Sequence, residues 1–308
     1  MRIINKFSEK LTEFRFIPWR FRHQGGPLNT LIQRPMRQKK IESFIQDTAK
    51  QKDGITVIYA IKNRVDYKFW HSLNSIRLQN YEQNLINILV VDYGSSESDL
   101  EITRHFCAEF NAELLETHKT GDWNKAHCLN IAIKRTTTKF LLSADTDIIF
   151  SNSYVSVLVD TLKNNPLSVI FSKCLDLKES TAEHLISKFK KGQPLDPEAL
   201  KSQAEGRSSG DANTGINASY TQFYQDIYGY DEFFKLWGSE DNDIKRRLEY
   251  FGLESRSIAT KAYYLHQWHP KYAGVKDSPE LQKTIEKNQQ YYQRDHRIFK
   301  NTDDWGEY

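Results

Sequence analysis

Hydrophobic and polar positions along this chain fall into two alternating registers, one suited to strands and one to helices. Ile55-Thr56-Val57-Ile58-Tyr59-Ala60-Ile61 is a β-branched run of buried-strand length. Phe69 to Leu78 reads as a helix and Ile86 to Asp92 as a second strand. A polar turn, Tyr93-Gly94-Ser95-Ser96, leads into a helix near Leu100–Phe110, and a third strand is expected over Ala112–Glu116. Asn124–Lys134 carries apolar residues at Ala126, Leu129, Ile131 and Ile133, and Lys139–Ala144 forms a fourth strand. Repeated strand-helix units of this length predict an α/β fold, with a mixed, mainly parallel central sheet and helices on both faces. In such sheets ligands sit beyond the carboxyl ends of the strands.

Past Phe150 the regularity weakens. Val155–Leu162 predicts a helix, Leu167–Ser172 a strand, and Glu240–Phe251 a helix with Ile244, Leu248 and Phe251 on one stripe. Residues 187–212 are polar and rich in Gly, Pro and Ser, which reads as a long loop, either a lid or a passive insertion. Order resumes at Thr214–Tyr220. No internal repeat is evident.

Composition narrows the class. A chain of 308 residues can bury a substantial core, and no run approaches the length of apolar sequence that crosses a membrane. Cys107, Cys128 and Cys174 match no metal-ligand spacing and read as reduced, buried thiols in a cytoplasmic protein, which makes the Asn217-Ala218-Ser219 sequon accidental. The net charge of +3 is uneven, because residues 1–40 hold ten Lys or Arg against Glu9 and Glu13. Leu11, Phe14, Phe16, Ile17, Trp19 and Phe21 interleave with these cations. Such an arm either packs on the body with its charges solvated or contacts an anionic membrane surface at the inner face of the cell membrane. No nucleic-acid motif accompanies it, so nucleic acid is not an expected partner.

Three clusters carry chemistry. Asp145-Thr146-Asp147 follows the fourth strand, and its hard carboxylate oxygens suit Mn²⁺ or Mg²⁺, although surface turns also produce such triplets. His266 and His269 stand three residues apart, so a turn could aim both rings at one ion, while an extended backbone would leave only one as a ligand. Trp237-Gly238-Ser239-Glu240-Asp241-Asn242-Asp243 places acids at a helix start, with Ser239 as an N-cap. The acids either complement the helix dipole or supply a general base and a grip on hydroxyl groups. In the second case Trp237 is a sugar-stacking platform rather than a core residue.

Together these motifs make the chain resemble a GT-A-fold (Rossmann-like) glycosyltransferase of the family 2 type, with a second half similar to the beta-1,4-galactosyltransferases. The resemblance runs from about Ile55 to His269. Ile61-Lys62-Asn63-Arg64 resembles the family's first nucleotide-binding turn, which implies that Asn63 and Arg64 lie near the uridine or diphosphate. Val91-Asp92 matches the strand end whose acid commonly reads uracil, and Trp123-Asn124-Lys125-Ala126 resembles the donor-contacting helix start. Asp145-Thr146-Asp147 matches the metal motif, with Asp147 the direct ligand and Asp145 on the nucleotide side. Thr214 to Ser219, including Gly215, resembles the segment beside the donor sugar. Gly229-Tyr230-Asp231-Glu232 with Trp237–Asp243 is similar to the galactosyltransferase acceptor motif, which implies Asp241 as the base and Glu240 as an acceptor or donor-sugar contact. His266 and His269 fall in the later metal segment, where His266 stands at a position that is a thioether in some animal relatives, and Ser239 replaces a frequent glycine.

The resemblance implies three sections: a basic aromatic arm (1–53), a glycosyltransferase domain (54–275, with a nucleotide-binding half over 54–150 and an acceptor and metal half over 211–270), and a helical tail (276–308). It implies an inverting, metal-dependent transfer of a hexose or N-acetylhexosamine from a UDP-sugar to an oligosaccharide or lipid-linked glycan acceptor, in the building of a bacterial surface polysaccharide. A retaining transferase, a metal phosphoesterase and a non-catalytic sugar-binding protein are the other classes that the motifs admit.

Overall fold

The computed structural model describes residues 51–172, 174–206, 215–270 and 278–308. Residues 1–50 of the basic aromatic arm lie outside the described residues, and Lys52 and Asp53 already belong to β1. The first half alternates as the sequence predicts: β1 (Lys52–Ile61), α1 (Tyr67–Arg77), β2 (Ile86–Asp92), α2 (Glu97–Glu109), β3 (Glu113–Glu116), α3 (Lys125–Arg135) and β4 (Thr138–Ala144). Ile55 to Tyr59 are all buried, because helices cover both faces of the sheet and no alternation with polar residues is needed. Each of α1, α2 and α3 begins at a side-chain cap that satisfies otherwise unpaired backbone N–H groups. Asp66 accepts from Lys68 N at 2.8 Å ahead of α1, and Asn124 accepts from His127 N at 3.0 Å ahead of α3.

The chain continues through β5 (Ile148–Phe150), α4 (Tyr154–Asn164), β6 (Ser168–Phe171), β7 (Cys174–Leu177), α5 (Ala182–Lys190), α6 (Pro197–Lys201) and β8 (Ala204–Gly206). After β9 (Asn217–Tyr220) and α7 (Thr221–Asp226) come α8 (Glu240–Phe251), β10 (Glu254–Ser257), β11 (Tyr264–His266) and α9 (Pro279–Arg294). The large sheet has the order β10-β6-β9-β4-β1-β2-β3. Its strands are parallel except where β9 runs antiparallel to both β4 and β6. A second sheet, β5-β11-β7-β8, stands apart.

The expected loop over 187–212 is corrected in its described part. Residues 187–206 are held by the end of α5, by α6 and by β8, which pairs with β7. Polarity suggested a loop, but Leu185, Leu195 and Leu200 bury against Ile149, Leu177, Tyr263 and Leu265 as a second small core. Asp196 and Pro197 together start α6, with Asp196 accepting from Glu198 N at 3.0 Å. The sequon is a strand residue: Asn217 is buried, donates to the Tyr230 hydroxyl at 2.9 Å and accepts from the Tyr224 hydroxyl at 2.6 Å. Cys107, Cys128 and Cys174 are reduced and buried.

Residues after α9 fold back across the body. Lys300 is fully enclosed between Asp243 (2.8 Å) and Asp231 (3.3 Å). Trp305 packs against Tyr228, and the Tyr308 hydroxyl donates to the Glu116 carbonyl at the end of β3 at 2.7 Å. No helix among the described residues is long and apolar enough to cross a membrane.

Candidate functional site

The carboxyl ends of β1, β2 and β4 open onto one face of the large sheet, and the polar residues singled out by the sequence gather there. Asp92 closes β2 by accepting from Gly94 N at 2.7 Å and Ser95 N at 2.9 Å, and it also accepts the Ser95 hydroxyl. Asn63, at φ 51°, accepts from Ser96 N at 2.8 Å and donates its own backbone N–H to Ser95 at 2.9 Å. The turns after β1 and β2 are thereby locked to each other. Arg64 is exposed beside them. Asn124 fixes the start of α3 and also donates to the Glu232 carbonyl at 2.9 Å, tying the first half to the second.

From that helix start Lys125 reaches into a cluster of acids. Its ammonium lies 2.8 Å from Asp145, 3.6 Å from Asp241 and 3.9 Å from Glu240. Burial alone would lower the Lys125 pKa, but the three carboxylates outweigh it and hold the lysine charged well above its ordinary value. Asp241 is pushed the other way, up to about 7, by burial above all and by the neighbouring Glu240 and Asp145 charges, against the opposing pull of Lys125. Its Oδ1 is enclosed and has no hydrogen-bond donor among the described residues. Gly215 makes this crowding possible, since a Cβ there would run into the Asp145 carboxylate and lie 2.7 Å from the Lys125 ammonium.

Glu240 and Asp241 open α8, as expected, but Ser239 does not cap it. Ser239 has a left-handed φ of 76° and its side chain makes no cap hydrogen bond. Leu236 (φ 60°) and Gly238 (φ 105°) are also left-handed, so the chain enters α8 through a tight series of turns. Two hydrogen bonds hold those turns in place. Asn288 of α9 donates to the carbonyls of Lys235 at 2.9 Å and Trp237 at 3.1 Å. Trp237 is 62% exposed, which rules out a core role. Below it Asp243 is sealed among Arg246, Arg247 and Lys300.

The second acid of the triplet faces elsewhere. Asp147 lies on the turn between β4 and β5, and its Oδ2 is 3.5 Å from the Nε2 atoms of both His266 and His269. Burial would raise the Asp147 pKa, but the two imidazoles override it and hold the carboxyl below its ordinary range. His266 ends β11, and Gln267 then turns the chain by donating its N–H to the Asp147 carbonyl at 2.9 Å, which brings both rings to one side. The ligand atoms of Asp147, His266 and His269 lie within 4.8 Å of one another. Asp145 stands outside this triad, engaged with Lys125. One carboxylate oxygen and two imidazole nitrogens fit Mn²⁺ better than Mg²⁺, which keeps to oxygen ligands.

Sequence reasoning named Glu232 within the acceptor motif but gave it no role, and it missed other side chains here. Glu232 joins the two halves, accepting from Asn130 at 2.8 Å and from Gly306 N at 2.7 Å and pairing with His127 at 2.9 Å. Asp176, Asn288 and Lys300 escaped notice. Their partners are distant in sequence, and a lone acid, amide or lysine has no local pattern to reveal it.

A mainly parallel sheet with a charged cluster at its strand ends and an Asp/His triad beside it is the arrangement that the sequence resemblance anticipates. Residues 56–188 match the model of the family described as Glycosyl transferase family 2, and residues 201–270 match that described as N-terminal domain of galactosyltransferase. By these matches the chain has a GT-A glycosyltransferase fold, of family 2 type in its first half and galactosyltransferase-like in its second.

Solved structures share this fold. S. aureus TarS is 16% identical, with 70% of this chain and 37% of that chain covered and a TM-score of 0.53. S. aureus TarS 1–349 in complex with UDP-GlcNAc is 14% identical, with 75% and 64% covered and a TM-score of 0.55. The same piece in complex with UDP is 17% identical, with 70% and 61% covered and a TM-score of 0.53. The chain thus spans less than two thirds of the length of each of these structures. No curated protein matches it.

Proposed function

We propose that this chain is an inverting glycosyltransferase that moves a hexose or N-acetylhexosamine from a UDP-sugar to a glycan hydroxyl. The observation that carries this reading is the Lys125 cluster, in which the enclosed Oδ1 of Asp241 lies 3.6 Å from a half-buried cation. UDP as the nucleotide is supported by the UDP and UDP-GlcNAc complexes of TarS. On this reading Asn63, Arg64 and Asp92 line the uridine and diphosphate. Asn124, Lys125 and Asp145 hold the donor, and Gly215 leaves room for its sugar. Asp147, His266 and His269 would hold a divalent ion, Mn²⁺ or Mg²⁺, whose charge offsets that of the diphosphate.

Glu240 grips the acceptor hydroxyl, and the apolar face of the acceptor sugar stacks on the exposed Trp237 ring. Asp241 takes the hydroxyl proton as the oxygen attacks the anomeric carbon from the face opposite the leaving group. One C–O bond forms, the bond to UDP breaks with its electron pair leaving on the phosphate oxygen, and the anomeric configuration inverts. The Asp241 pKa near 7 suits this role, since a base works best when its pKa lies near the working pH. A lipid-linked or oligosaccharide acceptor of a bacterial surface polysaccharide, met at the inner face of the membrane by residues 1–40, completes the proposal.

Titration calorimetry of UDP in the presence of Mn²⁺, repeated with excess EDTA, tests the donor site. Binding that weakens strongly in EDTA is the expected result, and absence of binding in both conditions overturns the UDP assignment. Once a donor and acceptor are found, proton NMR of the product settles the anomer. A retained configuration would remove Asp241 as an inverting base.

A further inference from the structure

The small sheet carries a row of side chains that leads outward from the Asp/His triad. β5 begins immediately after Asp147, and the register sets His266 of β11 opposite Ile148 on one side and opposite Asp176 of β7 on the other. Asp176 Oδ1 lies 3.0 Å from His266 Nδ1, while Nε2 of the same ring faces Asp147 at 3.5 Å. A neutral imidazole carries one proton, and a carboxylate acceptor at Nδ1 fixes it there, which leaves the Nε2 lone pair directed at the triad. His269 is turned the same way, with Nδ1 3.1 Å from the Pro270 carbonyl and Nε2 toward Asp147. A surface His–Asp pair would not require the opposite ring nitrogen to face a second carboxylate.

We propose that Asp176 is a positioning residue for the metal site, holding His266 as the Nδ1–H tautomer and strengthening Nε2 as a donor, so that it sets the affinity for Mn²⁺. The inference rests on the metal reading given above. Outer carboxylates of this kind alter metal affinity by about 10- to 100-fold when they are removed. Asp176 is 38% exposed at its side chain and lies on a strand held by backbone pairing on both sides, so its replacement leaves the sheet intact.

Electron paramagnetic resonance titration of Mn²⁺, with UDP present, would compare the full chain with Asp176→Asn and Asp176→Ala. The expected result is a Mn²⁺ Kd raised about 10- to 100-fold in Asp176→Ala and less in Asp176→Asn, which keeps an acceptor oxygen. UDP affinity in EDTA and the thermal midpoint should stay at the wild-type values. Wild-type Mn²⁺ affinity in both variants overturns the inference and leaves the metal reading standing. Failure of the wild-type chain to bind Mn²⁺ overturns both.

Discussion

Lys125 Nζ and Asp241 Oδ1 face each other across 3.6 Å, close enough for charge attraction but too far for a hydrogen bond. The lysine spends its shorter contact, 2.8 Å, on Asp145. Asp241 is therefore partly neutralised yet keeps an oxygen with no donor bound to it among the described residues. A carboxylate left in that state is poised to accept a proton from a ligand.

Asp241→Asn removes that acceptor with almost no change of shape. Transfer should fall by about 10²- to 10⁴-fold, the usual contribution of a general base. UDP affinity should change little. Initial rates and calorimetry on the same preparation check both, and undiminished transfer would discard the assignment.

The pH dependence follows from the raised Asp241 pKa. With the base titrating at about 7, kcat/KM should climb as pH rises from 6 to 8 and then level off. Stability runs the opposite way. The folded chain binds this proton more tightly than the unfolded chain does, so the contribution is fully present below the unfolded value of 3.8 and is lost as pH passes 7. Asp241→Asn, which cannot ionise, should therefore gain thermal midpoint over the wild type at pH 8 and much less at pH 5.

Lys125→Met removes the cation that opposes this shift. The ascending limb of the pH profile should move upward by about one pH unit or more, since an opposite charge at this range shifts a carboxyl by that order. Donor affinity should also fall. An unmoved limb would show that Lys125 does not govern Asp241.

Gly215→Ala tests the closeness of the cluster. The added methyl would displace the Asp145 carboxylate or the Lys125 ammonium. Donor binding should weaken by at least tenfold in calorimetry while the circular dichroism spectrum is retained.

Much of this architecture was legible because it is local. β1 and β2 show as apolar runs, and α8 begins at Glu240 and ends at Phe251, as its stripe of Ile244, Leu248 and Phe251 predicts. β5 and β11 have three residues each and exist only because each pairs with a distant segment, which periodicity cannot show. The interval 187–206 misled for a related reason. Its few leucines are spaced irregularly, and only the folded chain shows that they meet Tyr263 and Leu265. Within the site, residue types were readable and partners were not. The separation of Asp147 from Asp145 came from the resemblance alone, and its physical basis shows only in the fold, where the turn after β4 sends Asp145 to Lys125 and Asp147 to the histidines. Ser239 looked like a cap because of its position, but its left-handed backbone carries the side chain away from that role.

Lys300 gives a stability prediction. Lys300→Met leaves Asp231 and Asp243 without their shared cation, and breaking a buried pair in this way costs about 3–5 kcal/mol. Urea denaturation should show a loss of that size, and a loss under 1 kcal/mol would mean that Arg246 and Arg247 alone satisfy Asp243.

That enclosure also bears on how such a chain can change over generations. Asp231, Asp243 and Lys300 come from three separate segments, and Lys300 is the cation that both acids share in the interior, so it cannot be lost alone without leaving Asp231 short of its counter-charge. A replacement of Lys300 is therefore tolerated best when Asp231 is neutralised with it. The final stretch of the described chain, easily taken for a dispensable end, is thus tied by inheritance to the helix that carries Asp241.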